Sequence, residues 1–391
     1  MDLGRIRSET PGCRDVVHLN NAGSALPPAV VHDTVVRHLE LEGRIGGYEA
    51  ADDAADALTA SYGALARLVG ARDDEIAFTE NATRAWDMAF HAIPFKEGDR
   101  ILTTTSEYAS NALGYLLAAR RHGAVVEVVP DDDHGGIDLD ALARMLDAGG
   151  VRLVAINHVP THDGLVNPVA EVGRLSRRAG ALFLVDACQS VGQLVVDVAE
   201  IGCDMLSATG RKFLRGPRGT GFLYVRREVT AELEPPFVDL RSADWTGPES
   251  YELRPDARRF ENWERFVAGQ LGLAAAASYA LHLGMEAIEE RATALADRLR
   301  AELAELPGVT VHDRGARKSA IVTFTHVTVA APEIVARLAA GPRRINARVA
   351  EQTYRYDAGV KPPLRVRLSP HYYNTEEELD LAIAELRAIL R

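Results

Sequence analysis

Lysine is nearly missing from this sequence. Among 44 basic residues only Lys96, Lys212, Lys318 and Lys361 are lysines, and the rest are arginine. The bias reflects genomic composition and is not itself functional, yet it leaves four candidates for any chemistry that needs a side-chain amine. Cysteine is as sparse: Cys13, Cys188 and Cys203 are too few and too scattered for a disulfide framework or a zinc ribbon. No apolar run reaches the roughly 18–20 residues that span a bilayer. The opening stretch, MDLGRIRSETPG, lacks the apolar core of a signal peptide, so a cytoplasmic location is expected. Positive charge is also lacking. A net charge of −12 argues against general nucleic-acid binding and against adsorption to anionic membranes.

What is present is an ordinary globular composition, 47% hydrophobic and 26% charged over 391 residues, long enough to bury a full core without staples. Strand-like runs alternate with amphipathic stretches through the first two-thirds: EIAFT (75–79), RILTTT (100–105), VVEVVP (125–130), RLVAINH (152–158), ALFLVD (181–186), CDMLSAT (203–209) and GTGFLYVR (219–226). Several are apolar on both faces, as strands are when helices cover both sides of a sheet. The rhythm predicts a doubly wound α/β sheet. From about residue 264 the texture changes to two long helical stretches, then short strands mixed with helices, and a last helix announced by Thr375 with Glu378 three residues on. This divides the chain into a large domain, 16–263, and a smaller α+β C-terminal domain, 264–391, joined by the N-terminal arm 1–15.

Lys212 lies in SATGRKFLRGPRGTGFLYV, between two predicted strands. A lysine at a strand's carboxyl end projects into the crevice where open α/β sheets bind ligands. Taken alone, a solvated surface charge is the simpler reading, and its neighbours change the weighting. Twenty-six residues upstream an apolar strand closes on Asp186, followed by Gln189. A carboxylate in that position is costly without a partner. Pyridoxal phosphate (PLP) supplies one, because its pyridine nitrogen is held protonated by a carboxylate and becomes an electron sink. The bland alternatives are an N-cap for Asp186 and a surface amide for Gln189, which otherwise meets the cofactor's 3′ oxygen. EIAFT runs into ENATRAWDMAF, a predicted helix start whose free N–H groups and Thr83 hydroxyl suit a phosphate. Thr209 and Arg211 could add a hydroxyl and a cation.

The constellation resembles the fold-type-I PLP-dependent transferases, and within them the class V aminotransferase group, with its cysteine desulfurases, selenocysteine lyases, isopenicillin-N-epimerase-like enzymes and C–S lyases. The resemblance spans nearly the whole chain, from HLNNAGSALPP (18–28) through INHVPTHDGLVNP (156–168) and RFENWE (259–264) to VRLSPHYYNTEEELD (366–380). It implies a large, mostly parallel seven-stranded sheet flanked by helices, and a homodimer in which RFENWE reaches the partner's phosphate. It gives Lys212 the Schiff base, Asp186 the pyridinium, Gln189 the 3′ oxygen, and Ala82, Thr83, Thr209 and Arg211 the phosphate. Tyr108 would stack on the ring, Asn157 would contact the ring oxygen or substrate, and Arg367 would bind the substrate carboxylate with Asn21 nearby.

His158 and His162 have a metal-friendly spacing beside Asp163, but Pro160 interrupts a helix and no further ligand is apparent, so no metal is expected. His162 is read instead as lining the substrate mouth, where relatives carry Asn-Gly. Cys188 reads as a small buried thiol, and Trp86, Trp245 and Trp263 as packing or interface residues. The Tyr354–Arg355–Tyr356–Asp357 cluster fits a solvated turn and a loop over the active site equally well. RRINARVAEQTYRYDAG (343–359) carries no cysteine where persulfide-forming desulfurases have one, which points away from a persulfide-relay cysteine desulfurase. The favoured reaction is β-elimination on a sulfur-containing amino acid or cysteine conjugate, a C–S lyase activity, by analogy with the family. A class V aminotransferase or an epimerase-like enzyme of secondary metabolism is the alternative. A PLP-fold regulator is the non-enzyme alternative, and it fits poorly with a chain spent almost wholly on the PLP fold.

Overall fold

The structure, a computed structural model, describes residues 1–350 and 363–391. Lys361 and the Tyr354–Asp357 cluster lie outside the described residues. All seven segments predicted as strands form one sheet: β1 (Ile76–Thr79), β2 (Arg100–Thr104), β3 (Val125–Val129), β4 (Val151–Asn157), β5 (Leu182–Asp186), β6 (Met205–Thr209) and β7 (Gly221–Val225). Their order across the sheet is β1-β7-β6-β5-β4-β2-β3. The run from β3 to β6 is parallel, and β7 is antiparallel to both β6 and β1.

The period of two in a strand explains why the central stretches of these runs are apolar on both faces. Val154, Ile156, Phe183, Val185, Leu206 and Phe222 face one packed cluster, while Leu153, Ala155, Leu182, Leu184, Met205 and Leu223 face another. Helices cover both sides, so neither set can be polar. The Ala/Leu-rich stretch forms a helix, Val267–Leu283, whose small side chains pack against helices Ala29–Ile45 and Ala55–Val69. A second core gathers Leu295, Leu299, Phe324, Val366, Leu379 and Leu386, together with Val17 and Leu19 from near the N-terminus. Its sheet joins β8 (Val309–Val311), β9 (Val322–His326), β10 (Arg348–Ala350) and β11 (Arg365–Leu368) in the order β8-β9-β11-β10, all antiparallel. The last helix, Glu376–Ile389, begins with the predicted reciprocal cap between Thr375 and Glu378. Among the described residues no single helix is long and apolar enough to cross a membrane.

Two glycines let backbone segments close on the site. A Cβ at Gly221 would lie 2.8 Å from the Asn81 carbonyl carbon, so the glycine admits the start of helix Ala82–Phe90 beside β7. Gly192, at φ +95°, lies where a Cβ would meet Leu214 N at 2.2 Å, and so allows the turn after β5 to touch the turn carrying Lys212.

Candidate active site

The carboxyl ends of β2, β4, β5 and β6 open on one crevice, where parallel sheets place their ligands. A cavity of about 410 Å³ occupies it, and Ala82, Thr83, Tyr108, Asn157, Asp186, Gln189, Arg211 and Lys212 all line it. Thr209 sits just behind. Its hydroxyl donates to Thr220 O at 3.3 Å and accepts from Arg211 Nη1 at 3.2 Å, bracing that guanidinium. At the start of helix Ala82–Phe90, Asn81 Oδ1 accepts from Arg84 N at 2.9 Å, which fixes the first turn at the cavity wall.

Burial lowers the proton affinity of the Lys212 amine, and Arg211 and Arg367 push the same way against Asp186. Asp186 closes β5 and pairs in register with Asn157 of β4. Its Oδ1 accepts from Cys188 N at 2.9 Å and its Oδ2 from Asn111 Nδ2 at 3.0 Å. Gln189 donates from Nε2 to Ala22 O at 3.1 Å and to Thr161 Oγ1 at 2.9 Å. A backbone carbonyl only accepts, so this orients the amide and leaves Oε1 buried without a partner among the described residues.

Arg367 is buried, and no carboxylate pairs with it among the described residues. It donates from Nη1 to Thr161 O and Oγ1 at 3.1 and 2.6 Å, and from Nη2 to Asn20 Oδ1 at 3.4 Å. Burial, then Arg348 and Arg211, lower its proton affinity to a pKa of about 10. Among the described residues its Nε is buried with no hydrogen-bond partner, an arrangement that leaves a donor able to meet an anion. Asn21 is not brought to the cavity. Its amide is spent on His18 O, Ser369 O and the Tyr373 hydroxyl, and the adjacent Asn20 is the residue that touches Arg367. His162 is buried beside Arg367, and burial first, with Arg367, Arg365 and Lys212, takes its pKa down to about 4, so it is a neutral imidazole. Asp163 is committed to Arg314 at 3.0 Å.

Thr161, Asn111 and Glu107, none of them in the expected set, shape the site. Thr161 lines the cavity, and its one hydroxyl accepts from both Gln189 and Arg367, tying the two together. Behind Asp186, Asn111 also donates to Glu107 Oε1 at 3.1 Å. Glu107 further accepts from Tyr108 N, Thr103 Oγ1 and Tyr115 Oη at 2.7, 2.9 and 2.7 Å. The sole hint in the sequence was a glutamate placed just after an apolar strand. Glu261 of RFENWE is buried and accepts from Phe78 N at 2.9 Å, Tyr62 Oη at 3.0 Å and Arg241 Nε at 2.9 Å, so within this chain it buttresses β1.

The donor set fits a phosphorylated pyridine aldehyde: an enclosed amine, a strand-end carboxylate, a helix start with a braced arginine, and an unspent buried amide oxygen. Fold and site together define a PLP-dependent enzyme of fold type I. The chain belongs to the aminotransferase class-V family, whose model matches residues 16–381. It is 29% identical to a probable cysteine desulfurase of Pyrococcus abyssi over 99% of this chain and 97% of that protein. It is 33% identical to a probable hercynylcysteine sulfoxide lyase of Mycobacterium tuberculosis over 94% of this chain and 89% of that one. Among solved structures, the apo cysteine desulfurase from Thermococcus onnurineus superposes with a TM-score of 0.90 at 27% identity, covering 99% and 98% of the two chains. A lysine-to-alanine mutant of C-DES with glycine covalently linked to its PLP cofactor gives a TM-score of 0.87 at 25% identity, covering 97% and 98%.

These relatives correct one expectation. Reading 343–359 as lacking the relay cysteine pointed away from the cysteine desulfurases, yet relatives and structural neighbours are mostly proteins of that name. That inference tied a reaction class to one loop position, whereas the fold and most of the chain's length align with those proteins.

Proposed function

We propose that this PLP-dependent enzyme breaks the Cβ–S bond of a sulfur-containing amino acid or cysteine conjugate by β-elimination. The observation that carries the reading is one cavity holding the Lys212 amine, of lowered proton affinity, beside Asp186, with the buried Arg367 joined to its wall through Thr161. When bound, PLP supplies an electron sink for charge developing at the substrate Cα. Lys212 would hold the cofactor and would serve as the base for the Cα proton; burial lowers the proton affinity of its amine, which suits that task. Asp186 would hold a proton on the pyridine nitrogen, Gln189 would meet the ring oxygen, and Tyr108 would stack on the ring. Ala82, Thr83, Thr209 and Arg211 hold the phosphate, while Arg367 takes the substrate carboxylate in bidentate fashion. Asn157 and His162 border the substrate. The names of a sulfoxide lyase and of a cystine C–S lyase among the relatives support this choice.

A second reading, delivery of the sulfur to an acceptor thiol, is favoured by the relatives named cysteine desulfurase. One experiment separates them: the loaded enzyme is given L-cysteine, L-cystine and S-substituted cysteines. Pyruvate and ammonia released together support elimination. Alanine with sulfane sulfur, or turnover that requires a keto-acid acceptor, overturns it. The enzyme is also proposed to act as a homodimer, in keeping with exposed apolar side chains such as Leu113, Phe237, Leu240, Trp245 and Trp263. Sedimentation at monomer mass would refute this.

A further inference from the structure

Glu107 lies behind the cavity wall, 3% exposed. Buried carboxylates normally face a cation, but among the described residues every donor to this one is neutral: Thr103, Tyr115, the Tyr108 amide and Asn111. Asn111 Nδ2 has two hydrogens. One goes to Glu107 Oε1 and the other to Asp186 Oδ2, at 3.1 and 3.0 Å. An amide held between two buried carboxylates is an arrangement that helix capping alone does not call for.

We infer that Glu107 is a positioning residue that, through Asn111, fixes the Asp186 carboxylate toward the cavity and sets a second negative charge behind it. The inference rests on the PLP reading and assigns a residue that acts on the cofactor's protonation without touching it. Burial takes Glu107 up to a pKa of about 7, with Asp186 adding and the hydrogen bonds from Tyr115, Tyr108 and Thr103 opposing. Tyr108 and Tyr115 face it from the segment after β2. On the Asp186 side stand Cys188 after β5, and Arg211 and Lys212 after β6. Ionised Glu107 favours a proton on the group bound to Asp186; neutral Glu107 does not.

The test reads the visible absorbance of the PLP-loaded enzyme against pH. Glu107→Gln keeps the size and, through the Thr103 and Tyr115 hydroxyl rotors, the hydrogen bonds, while removing the charge. The absorbance midpoint should fall by about 0.5–1 unit, and the cofactor should dissociate several-fold faster. Asn111→Ala, which breaks the link but leaves the Glu107 charge in place, should give a smaller shift in the same direction, and the double variant should shift at least as far as Glu107→Gln. Tyr115→Phe, which removes one donor, should give a smaller shift of the same sign, and it carries the test should Glu107→Gln fail to fold. Midpoints unchanged within 0.1 unit in Asn111→Ala and Tyr115→Phe, with only the melting temperature moved, would reduce Glu107 to a helix cap and overturn the inference. Wild-type protein that takes up no PLP would overturn the cofactor reading, and the inference with it.

Discussion

Two walls meet at the turn that carries Lys212, and each buries a charged side chain with no opposite charge beside it. On the cavity side stands Glu107, ringed by neutral donors. On the far side Arg215 is 1% exposed and, among the described residues, pairs with no carboxylate. It donates to Leu26 O at 2.8 Å, Tyr372 Oη at 2.6 Å and Thr10 Oγ1 at 2.6 Å, and lies 4.4 Å from the Tyr373 ring centroid and 5.1 Å from that of Tyr372. A carboxyl can escape burial by taking a proton; a guanidinium cannot escape by losing one. Arg215 therefore needs its donors satisfied, and in satisfying them it staples the N-terminal segment and the C-terminal tyrosines to the Lys212 turn, whose Lys212 O accepts from its own amide at 2.9 Å. It does so at φ +63°, a conformation costing a non-glycine residue about 1–2 kcal/mol, which these bonds offset. One wall is placed for chemistry, the other for architecture.

The largest expected effects separate the walls. Lys212→Ala should lower turnover on the order of 10³-fold or more, while urea denaturation of the apo-protein stays level or improves, because a desolvated amine is removed. Arg215→Ala should do the reverse. Losing the cation strands two hydroxyls and a carbonyl and opens a cavity, at a cost of about 3–5 kcal/mol in the same denaturation assay. The division fails if Arg215→Ala unfolds at the wild-type urea concentration yet loses its turnover.

How far the sequence revealed these walls follows from chain distance. The seven strands were legible because most are buried on both faces, a pattern each writes locally, while the edge strand β3, only partly buried, was marked by its run of valines. Lys212 and Asp186 were legible because each ends a strand, and because lysine is so rare. Glu107 was silent: what it does depends on Asn111 reaching Asp186, 75 residues away. Thr161 depends on Arg367, 206 residues on. Arg215 is joined to Thr10 across 205 residues, and nothing local marks it. Asn20 and Asn21 show the limit of resolution. Asn20 forms a bridge with Ser369 while Asn21 opens the turn that follows, so a reading off by one residue selects the buried asparagine instead of the one on Arg367.

A pH series sharpens the contrast at intermediate scale. In the folded chain Glu107 binds its proton more tightly than the ordinary carboxyl near 4.5, with a pKa of about 7. The folded state then holds an extra proton between those values, so its contribution to stability is full below about pH 4.5 and is lost as pH rises to about 7. The loss should be on the order of 3 kcal/mol. Apo wild-type protein should lose this much relative to Glu107→Gln between pH 4.5 and 7.5, followed by urea denaturation. A wild-type-minus-Arg215→Ala difference should stay flat across the same range, since guanidinium does not titrate there. Parallel curves for wild type and Glu107→Gln would erase the distinction between a titrating wall and a fixed one.

The smallest effect is expected at Cys188, which lies on the cavity wall yet should behave as inert packing. Burial pushes its thiol up to about 12, and the nearby Lys212 only partly opposes this. The thiolate is the reactive form, so at pH 8 iodoacetamide should label native apo-protein at this position roughly 10³-fold more slowly than the unfolded chain, whose cysteines ionise near 8.5. Cys188→Ala should change stability by less than about 1 kcal/mol. Peptide mapping after timed alkylation reads the first quantity and urea denaturation the second. Rapid native labelling at Cys188 would mean that the Lys212 cation outweighs burial across this short gap, and the chemical wall would then extend one residue past Asp186 and Ala187 to include a nucleophile.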